Sequence, residues 1–192
     1  LLEQFARGNA GMRSGDAPQF ITCFWEHPRL QNGWIPQQST STETTPYGGC
    51  EHLIHWEDGR GRYFEYVQAQ VREGYRSGVW KAGDQVWGKR GVLITQMSSL
   101  CATLYSGDAF DNNASAIVPY DQDLVPALWC YCSSAEFAEA VRHIDKKLNV
   151  TAATLVKVPF DVERWKAEAI QKYPDGLPSP HSSDPTQWLF AG

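Results

Sequence analysis

Between positions 91 and 119 the chain carries three short apolar runs, Gly91-Val92-Leu93-Ile94-Thr95, Ala102-Thr103-Leu104-Tyr105 and Ala116-Ile117-Val118-Pro119, separated by Gly, Ser, Asp and Asn. Runs of this length bounded by turn residues read as strands, so this stretch predicts a small, strongly bent sheet with long connections. On either side of it the periodicity is that of helices. Phe64, Val67 and Val71 recur at three- and four-residue steps and predict a helix over residues 63–72. Residues 124–131 predict a short buried helix. Ser133 and Glu136 form a capping-box pattern for a helix running to about Leu148, with Phe137, Val141, Ile144 and Leu148 as its apolar stripe and Glu139, Arg142, His143 and Lys146 opposite. Asp161 is placed to cap a further helix whose Val162, Trp165 and Ile170 face the core. Residues 20–25, and residues 154–158 ending at Pro159, read as additional strands. The fold class that results is α+β, a small bent mixed or antiparallel sheet with packed helices. A hydrophobic content of 42% in 192 residues gives such a fold enough apolar mass for a core.

The segments around this pattern are irregular. Residues 1–19 are small and polar, with Gly8, Gly11 and Gly15 around Met12-Arg13-Ser14, and read as a linker. Residues 28–49 are rich in Gly, Pro, Ser and Thr and read as a long loop or irregular edge. The last twenty residues are Pro-rich up to Pro185, after which Trp188, Leu189 and Phe190 could dock. The chain opens on Leu1 and stops at Phe190-Ala191-Gly192, so a piece of a longer protein is expected. It has neither a run of roughly 18 apolar residues nor the charged-then-apolar order of a signal peptide, and we expect a cytoplasmic protein without a membrane segment.

The net charge of -5 opposes nucleic-acid binding unless the charges are unevenly distributed. They are: Arg60, Arg62, Arg72, Arg76, Lys81, Lys89 and Arg90, seven of the 17 basic residues, fall within about thirty positions. The five cysteines, Cys23, Cys50, Cys101, Cys130 and Cys132, are odd in number and lie in apolar stretches, which reads as reduced, mostly buried thiols. Cys50-x-His52-x-x-His55 has zinc-like residue types, yet on a strand His52 and His55 point to opposite faces. Glu57, Asp58 and Glu65 lack the Lys that a nuclease site would place beside them, and no thiol is marked as an activated nucleophile.

Two blocks resemble the target recognition domains of adenine-specific DNA methyltransferases, both the type IIG fused restriction-modification enzymes and related phage-defence methylases. The first is Gly11-Met12-Arg13-Ser14-Gly15-Asp16 running into Phe20 and Phe24-Trp25-Glu26, similar to the Gly-Leu-x-Thr-Gly-Asp plus aromatic segment with which such enzymes leave their catalytic domain. The second runs from Trp87-Gly88-Lys89-Arg90-Gly91 through Phe110-Asp111, Ile117-Val118-Pro119 and Leu128-Trp129-Cys130-Tyr131-Cys132-Ser133-Ser134 to Leu155-Val156-Lys157-Val158-Pro159. Its order of strand pair, helix, Leu-x-x-Tyr-Leu-x-Ser step, helix and Pro-terminated strand also resembles the specificity subunits of type I restriction enzymes. Tyr173-Pro174-Asp175-Gly176-Leu177-Pro178 with Asp184 to Phe190 is similar to the C-terminal part of these methylases.

The resemblance implies a linker at 1–19, a recognition domain at 20–159 and a helical, Pro-rich extension at 160–192. It implies double-stranded DNA as partner, together with a catalytic domain of the same parent chain, where S-adenosylmethionine would bind. The catalytic Asp/Asn-Pro-Pro-aromatic motif is absent from this sequence, and Gly59-Arg60-Gly61 is not set between a clear strand and helix, so no catalytic residue, cofactor or metal is assigned here. For phosphate contact the candidates are Arg13, Arg60, Arg62, Arg76, Lys81, Lys89 and Arg90. For base edges they are Gln96, Ser98, Ser99, Asn112 and Asn113, since Asn and Gln bond adenine at two points and Arg or Lys bond guanine. Asp111-Asn112-Asn113 is equally good turn chemistry, and Trp34, Trp56, Trp80 and Trp87 serve core packing before base stacking. The alternative function is a protein-interaction or scaffold module of a defence complex.

Overall fold

The computed structural model describes residues 1–74, 80–97 and 99–179. Its strands are β1 (Ala6–Ala10), β2 (Ile21–Cys23), β3 (Trp34–Gln38), β4 (His52–His55), β5 (Gly91–Thr95), β6 (Ala102–Tyr105), β7 (Ala109–Phe110) and β8 (Ala114–Pro119). Its helices are α1 (Ala17–Phe20), α2 (Arg62–Arg72), α3 (Val125–Cys132), α4 (Ala135–Ile144), α5 (Ala152–Leu155) and α6 (Val162–Lys172). The strands form two open four-stranded sheets, the first in the antiparallel order β1-β8-β5-β6 and the second in the order β2-β4-β3-β7. In the second sheet only β3 and β7 run parallel. The fold is α+β.

Alternation along the strands splits the core. Val92, Ile94, Leu104 and Ile117 turn to one face of the first sheet, where they meet Leu128 and Tyr131 of α3, Phe137 and Val141 of α4 and Trp165 of α6. Leu93, Tyr105, Ala116 and Val118 turn to the other face and pack with Phe110 and Val86. A third cluster joins the second sheet to α2 through Ile54, Ala109, Phe20, Tyr63, Val67 and Met12. Both faces of the first sheet are therefore dry, which is why β5, β6 and β8 read as continuous apolar runs.

Several sequence expectations change. Residues 1–19 do not form a linker: β1 is an edge strand of the first sheet, paired Ala6 to Pro119 through Ala10 to Ser115, and Leu2, Ala6 and Met12 are buried. The small residues there serve close packing, since a Cβ on Gly8 would sit 2.1 Å from the carbonyl oxygen of Ala152. Nor does residue 160 begin a separate extension, because Trp165 and Ala169 of α6 lie in the same core as α3, and the Trp129 indole donates to the Tyr173 hydroxyl at 2.9 Å. Residues 154–158 are not a strand. Thr151 caps α5, its hydroxyl accepting from the Thr154 amide, and the apolar run is buried as a short helix and its exit, which periodicity alone cannot separate from a strand.

Of residues 20–25 only Ile21–Cys23 is strand, because Pro18 in the first turn favours α1 and the Glu26 carboxylate accepts from the Cys23 amide to close a 3-10 turn. Ser134, not Ser133, caps α4, and Glu136 instead makes a two-point ion pair with Arg164 at 3.0 and 2.8 Å. That helix ends at Ile144, leaving Ile144 and Leu148 exposed, and Ala169 rather than Ile170 faces the core. Strand β3 arises within the stretch read as loop. Pro36 concealed it, and the proline is tolerated because β7 pairs only with Gln37 and Gln38. The expected docking of Trp188, Leu189 and Phe190 falls outside the described residues.

Neighbouring buried amides on β3 differ in one respect. Gln38 donates to the carbonyls of Gly48 and Leu104, at 3.1 and 2.8 Å, and accepts from the Ser106 amide, whereas the Gln37 side-chain nitrogen has no partner among the described residues. An orphaned buried donor costs free energy that an apolar group of similar shape does not. Gln37→Met is expected to leave stability unchanged or raise it, and Gln38→Met to lower it by about 1–3 kcal/mol, as read from urea unfolding midpoints.

Candidate nucleic-acid interface

The Gly11–Asp16 block is a rigid loop. A Cβ on Gly11 would lie 2.0 Å from the Asp111 carbonyl oxygen, so only glycine lets β1 run this close to the strand end at Phe110. The Met12 amide donates to the Phe110 carbonyl at 2.8 Å and the Met12 side chain is buried. Gly15, at φ 77°, turns the chain against the Tyr66 ring. The Tyr63 hydroxyl is shared between the carbonyls of Arg13, at 2.9 Å, and Trp80, at 3.1 Å, tying this loop to the segment after α2. Burial pushes the Tyr63 phenol well above its ordinary pKa, which keeps it protonated as a donor.

Beside this loop opens a cleft of about 660 Å³. Arg13, Ser14 and Asn112 line it. Tyr66, Val67, Gln70 and Val71 of α2 line it as well, with Trp80. The 66/70 and 67/71 pairs are one helical turn apart, which places all four on the same side of α2. No carboxylate lines the cleft among the described residues.

Trp80 continues from the cleft into an aromatic cluster, with Trp56 at 5.5 Å, Phe64 at 5.6 Å and Tyr63 at 6.0 Å between ring centroids, and Trp56 meets Trp87 edge-on at 5.1 Å. Basic residues rim this cluster. The Lys81 ammonium lies 5.6 Å from the Trp80 ring, Lys89 follows two residues after Trp87, and Arg60 and Arg62 stand on the turn whose Gly59 packs on Trp56. All four are exposed.

The turn Gly59-Arg60-Gly61 does connect a strand, β4, to a helix, α2, contrary to the sequence expectation. It still does not fit a cofactor's phosphate or carboxylate. The Glu57 carboxylate accepts from the Arg62 amide at 2.7 Å and fills the helix start, and Gly61 is packed against it.

The other candidates separate. The Gln96 side chain is buried and donates to the Ala114 carbonyl at 3.1 Å and the Ser115 hydroxyl at 2.8 Å, so it is unavailable to a base edge. Ser99 is exposed, its hydroxyl 3.0 Å from the Cys101 sulfur, and Asn113 is exposed on a turn in which its amide donates to Asp111. These residues and Lys89-Arg90 stand at opposite ends of the first sheet, about 13 Å of strand apart. Arg90 turns from the tryptophan cluster toward Tyr47, exchanging backbone hydrogen bonds with the Gln122 side chain. Arg76 and Ser98 lie outside the described residues. Sequence reasoning missed Tyr66 and Gln70, whose spacing beside the Val67–Val71 stripe was the available signal.

His52 and His55 do take opposite faces of β4, with His55 stacked on Trp34 at 4.8 Å and 3.4 Å from the Glu57 carboxylate. Burial pushes the Cys50 thiol up to about 12, and no group of three potential metal ligands assembles among the described residues. No helix among them is long and apolar enough to cross a membrane. No protein-family model matches the chain, and no curated protein is significantly similar to it.

The Tyr63 hydroxyl is the testable joint of this site. Tyr63→Phe leaves two part-buried carbonyls without their donor and is expected to cost about 1–3 kcal/mol in urea unfolding. It is also expected to raise amide exchange at residues 12–16 while leaving β5 and β8 protected.

Proposed function

We propose that this chain is a reading module for double-stranded DNA within a larger adenine-specific DNA methyltransferase of a restriction-modification or phage-defence system. In this reading it sets which adenine a catalytic domain elsewhere in the parent protein methylates with S-adenosylmethionine. The observation that carries it is the grouping of Arg60, Arg62, Lys81 and Lys89 around the Trp56–Trp80–Trp87 cluster, next to a cleft that holds Arg13 and Asn112 and has no carboxylate among the described residues lining it. This gives a negatively charged chain four exposed cations, interspersed with the carboxylates of Asp58 and Asp84, as phosphate-binding side chains beside groups able to reach base edges. The sequence blocks resembling target recognition domains fall on the same surface, the first as the cleft loop and the start of the second as Trp87-Gly88-Lys89.

A second reading, a protein-interaction module, is favoured by a different face. Met97, Ile144 and Leu148 are exposed large apolar side chains, and Met97 bridges to Asn149 beside Leu148.

Binding of a labelled duplex measured against salt separates the two. The DNA reading predicts affinity that falls steeply as salt rises. Replacing Arg60, Arg62 and Lys89 together with Ala is expected to reduce the log–log salt slope by about 2 to 3, near 0.9 for each phosphate that is no longer neutralised. Lys146→Ala with Lys147→Ala, exposed in the segment after α4, is expected to leave it unchanged. Unaltered binding in the triple variant overturns the assigned surface, and no binding at low salt overturns the DNA reading.

A further inference from the structure

The cleft between Arg13 and α2 has a chemistry that paired duplex DNA does not satisfy. Its walls include two half-buried aromatic rings, Tyr66 and Trp80, with Val67 and Val71 alongside, whereas base faces inside a duplex are hidden. Around these walls stand three side chains rich in hydrogen-bonding groups, Arg13, Gln70 and Asn112, and none of them has a hydrogen-bond or ion-pair partner among the described residues. The loop carrying Arg13 is held by four independent constraints, namely Gly11 on Asp111, the Met12 amide, Gly15 on Tyr66 and the Tyr63 hydroxyl. Unused donors and acceptors on a fixed frame beside aromatic walls are what a planar, polar-edged ring needs. A volume of about 660 Å³ admits a whole nucleotide.

From this we infer that the cleft is a binding site for an unstacked purine base, its ring lying on the Tyr66–Trp80 wall and its edge hydrogen-bonded by Arg13, Gln70 and Asn112. An amide of Asn or Gln matches the donor-acceptor edge of adenine, and a guanidinium matches the two acceptors of guanine. The ring comes either from a free nucleotide or from a base displaced out of DNA. The inference rests on the DNA reading only in the second case.

Intrinsic tryptophan fluorescence, titrated with AMP, GMP and ribose 5-phosphate, tests the chemistry. Anisotropy with a fully paired duplex and the same duplex carrying one unpaired purine identifies the source. The account expects saturable quenching by a purine nucleotide or tighter binding of the bulged duplex, with no quenching by ribose 5-phosphate. It further expects the preferred probe's affinity to fall about fivefold or more in Gln70→Ala with Asn112→Ala, both at the surface of the fold and checked for intact circular dichroism. If neither purine nucleotide nor bulged duplex is preferred, or if the double variant binds as the parent does, the cleft is not a base site. Salt-dependent binding of the paired duplex with neither a gain from the bulge nor quenching by a purine nucleotide would overturn this inference and leave the proposed function standing. Quenching by AMP in a chain that binds no duplex would do the reverse.

Discussion

Backbone hydrogen bonds at Phe110 and Asp111 join the end of the second sheet to the loop after β1, and the candidate site is built on that joint. From the second sheet Gln38 accepts the Asp111 amide at 3.1 Å, while the Phe110 carbonyl accepts the Met12 amide. The Asp111 carboxylate is held by the Ser39 hydroxyl and the Asn113 amide, which turns the chain into β8. The Phe110 ring packs edge-on to Tyr105 at 5.2 Å under the first sheet. Such crowding requires missing side chains nearby. Gly11 supplies one gap, and Gly83, at φ 88° with a hypothetical Cβ 2.6 Å from the Phe110 ring, supplies the other. With the joint fixed, Arg13, Asn112 and Trp80 are brought to one cleft from three distant parts of the sequence.

Electrostatics on this surface is a matter of placement. The chain is acidic overall, and some of its carboxylates have internal tasks: Glu57 closes the start of α2, Asp161 caps α6, and Glu136 pairs with Arg164. Around the tryptophan cluster the exposed groups include the four cations Arg60, Arg62, Lys81 and Lys89 together with the carboxylates of Asp58 and Asp84. Net charge therefore says little about what this face can bind.

The strands of the first sheet were legible because both of their faces are dry, so β5, β6 and β8 stand out as apolar runs between turn residues. Helices α2 and α4 were legible from their stripes, α3 as a short buried run and α6 from Asp161. Illegible elements share a cause: their local signal belongs to a distant partner. Gly8 reads as linker until Ala152 lies on it, Pro36 reads as loop until β4 pairs with it, and the run at residues 154–158 reads as strand until it packs as a short helix against β1. The site divides in the same way. Arg13 and Asn112 were picked out for separate reasons and the fold unites them, while Gln96, chosen for its chemistry, spends that chemistry on Ala114 and Ser115. Gln70 and Tyr66 went unnoticed because an amphipathic helix shows its apolar stripe and not which polar neighbours border a cleft.

The central claim is that one face of this protein, running from the Arg13 loop across Trp80 to Lys89, meets nucleic acid. Hydrogen exchange measured with and without duplex DNA at low salt tests it directly. The account predicts slowed exchange at residues 11–16, 57–71 and 80–90, with α4 and α6 unchanged. Protection confined to α4, α6 and the Met97–Asn149 face, or no change anywhere, would contradict it.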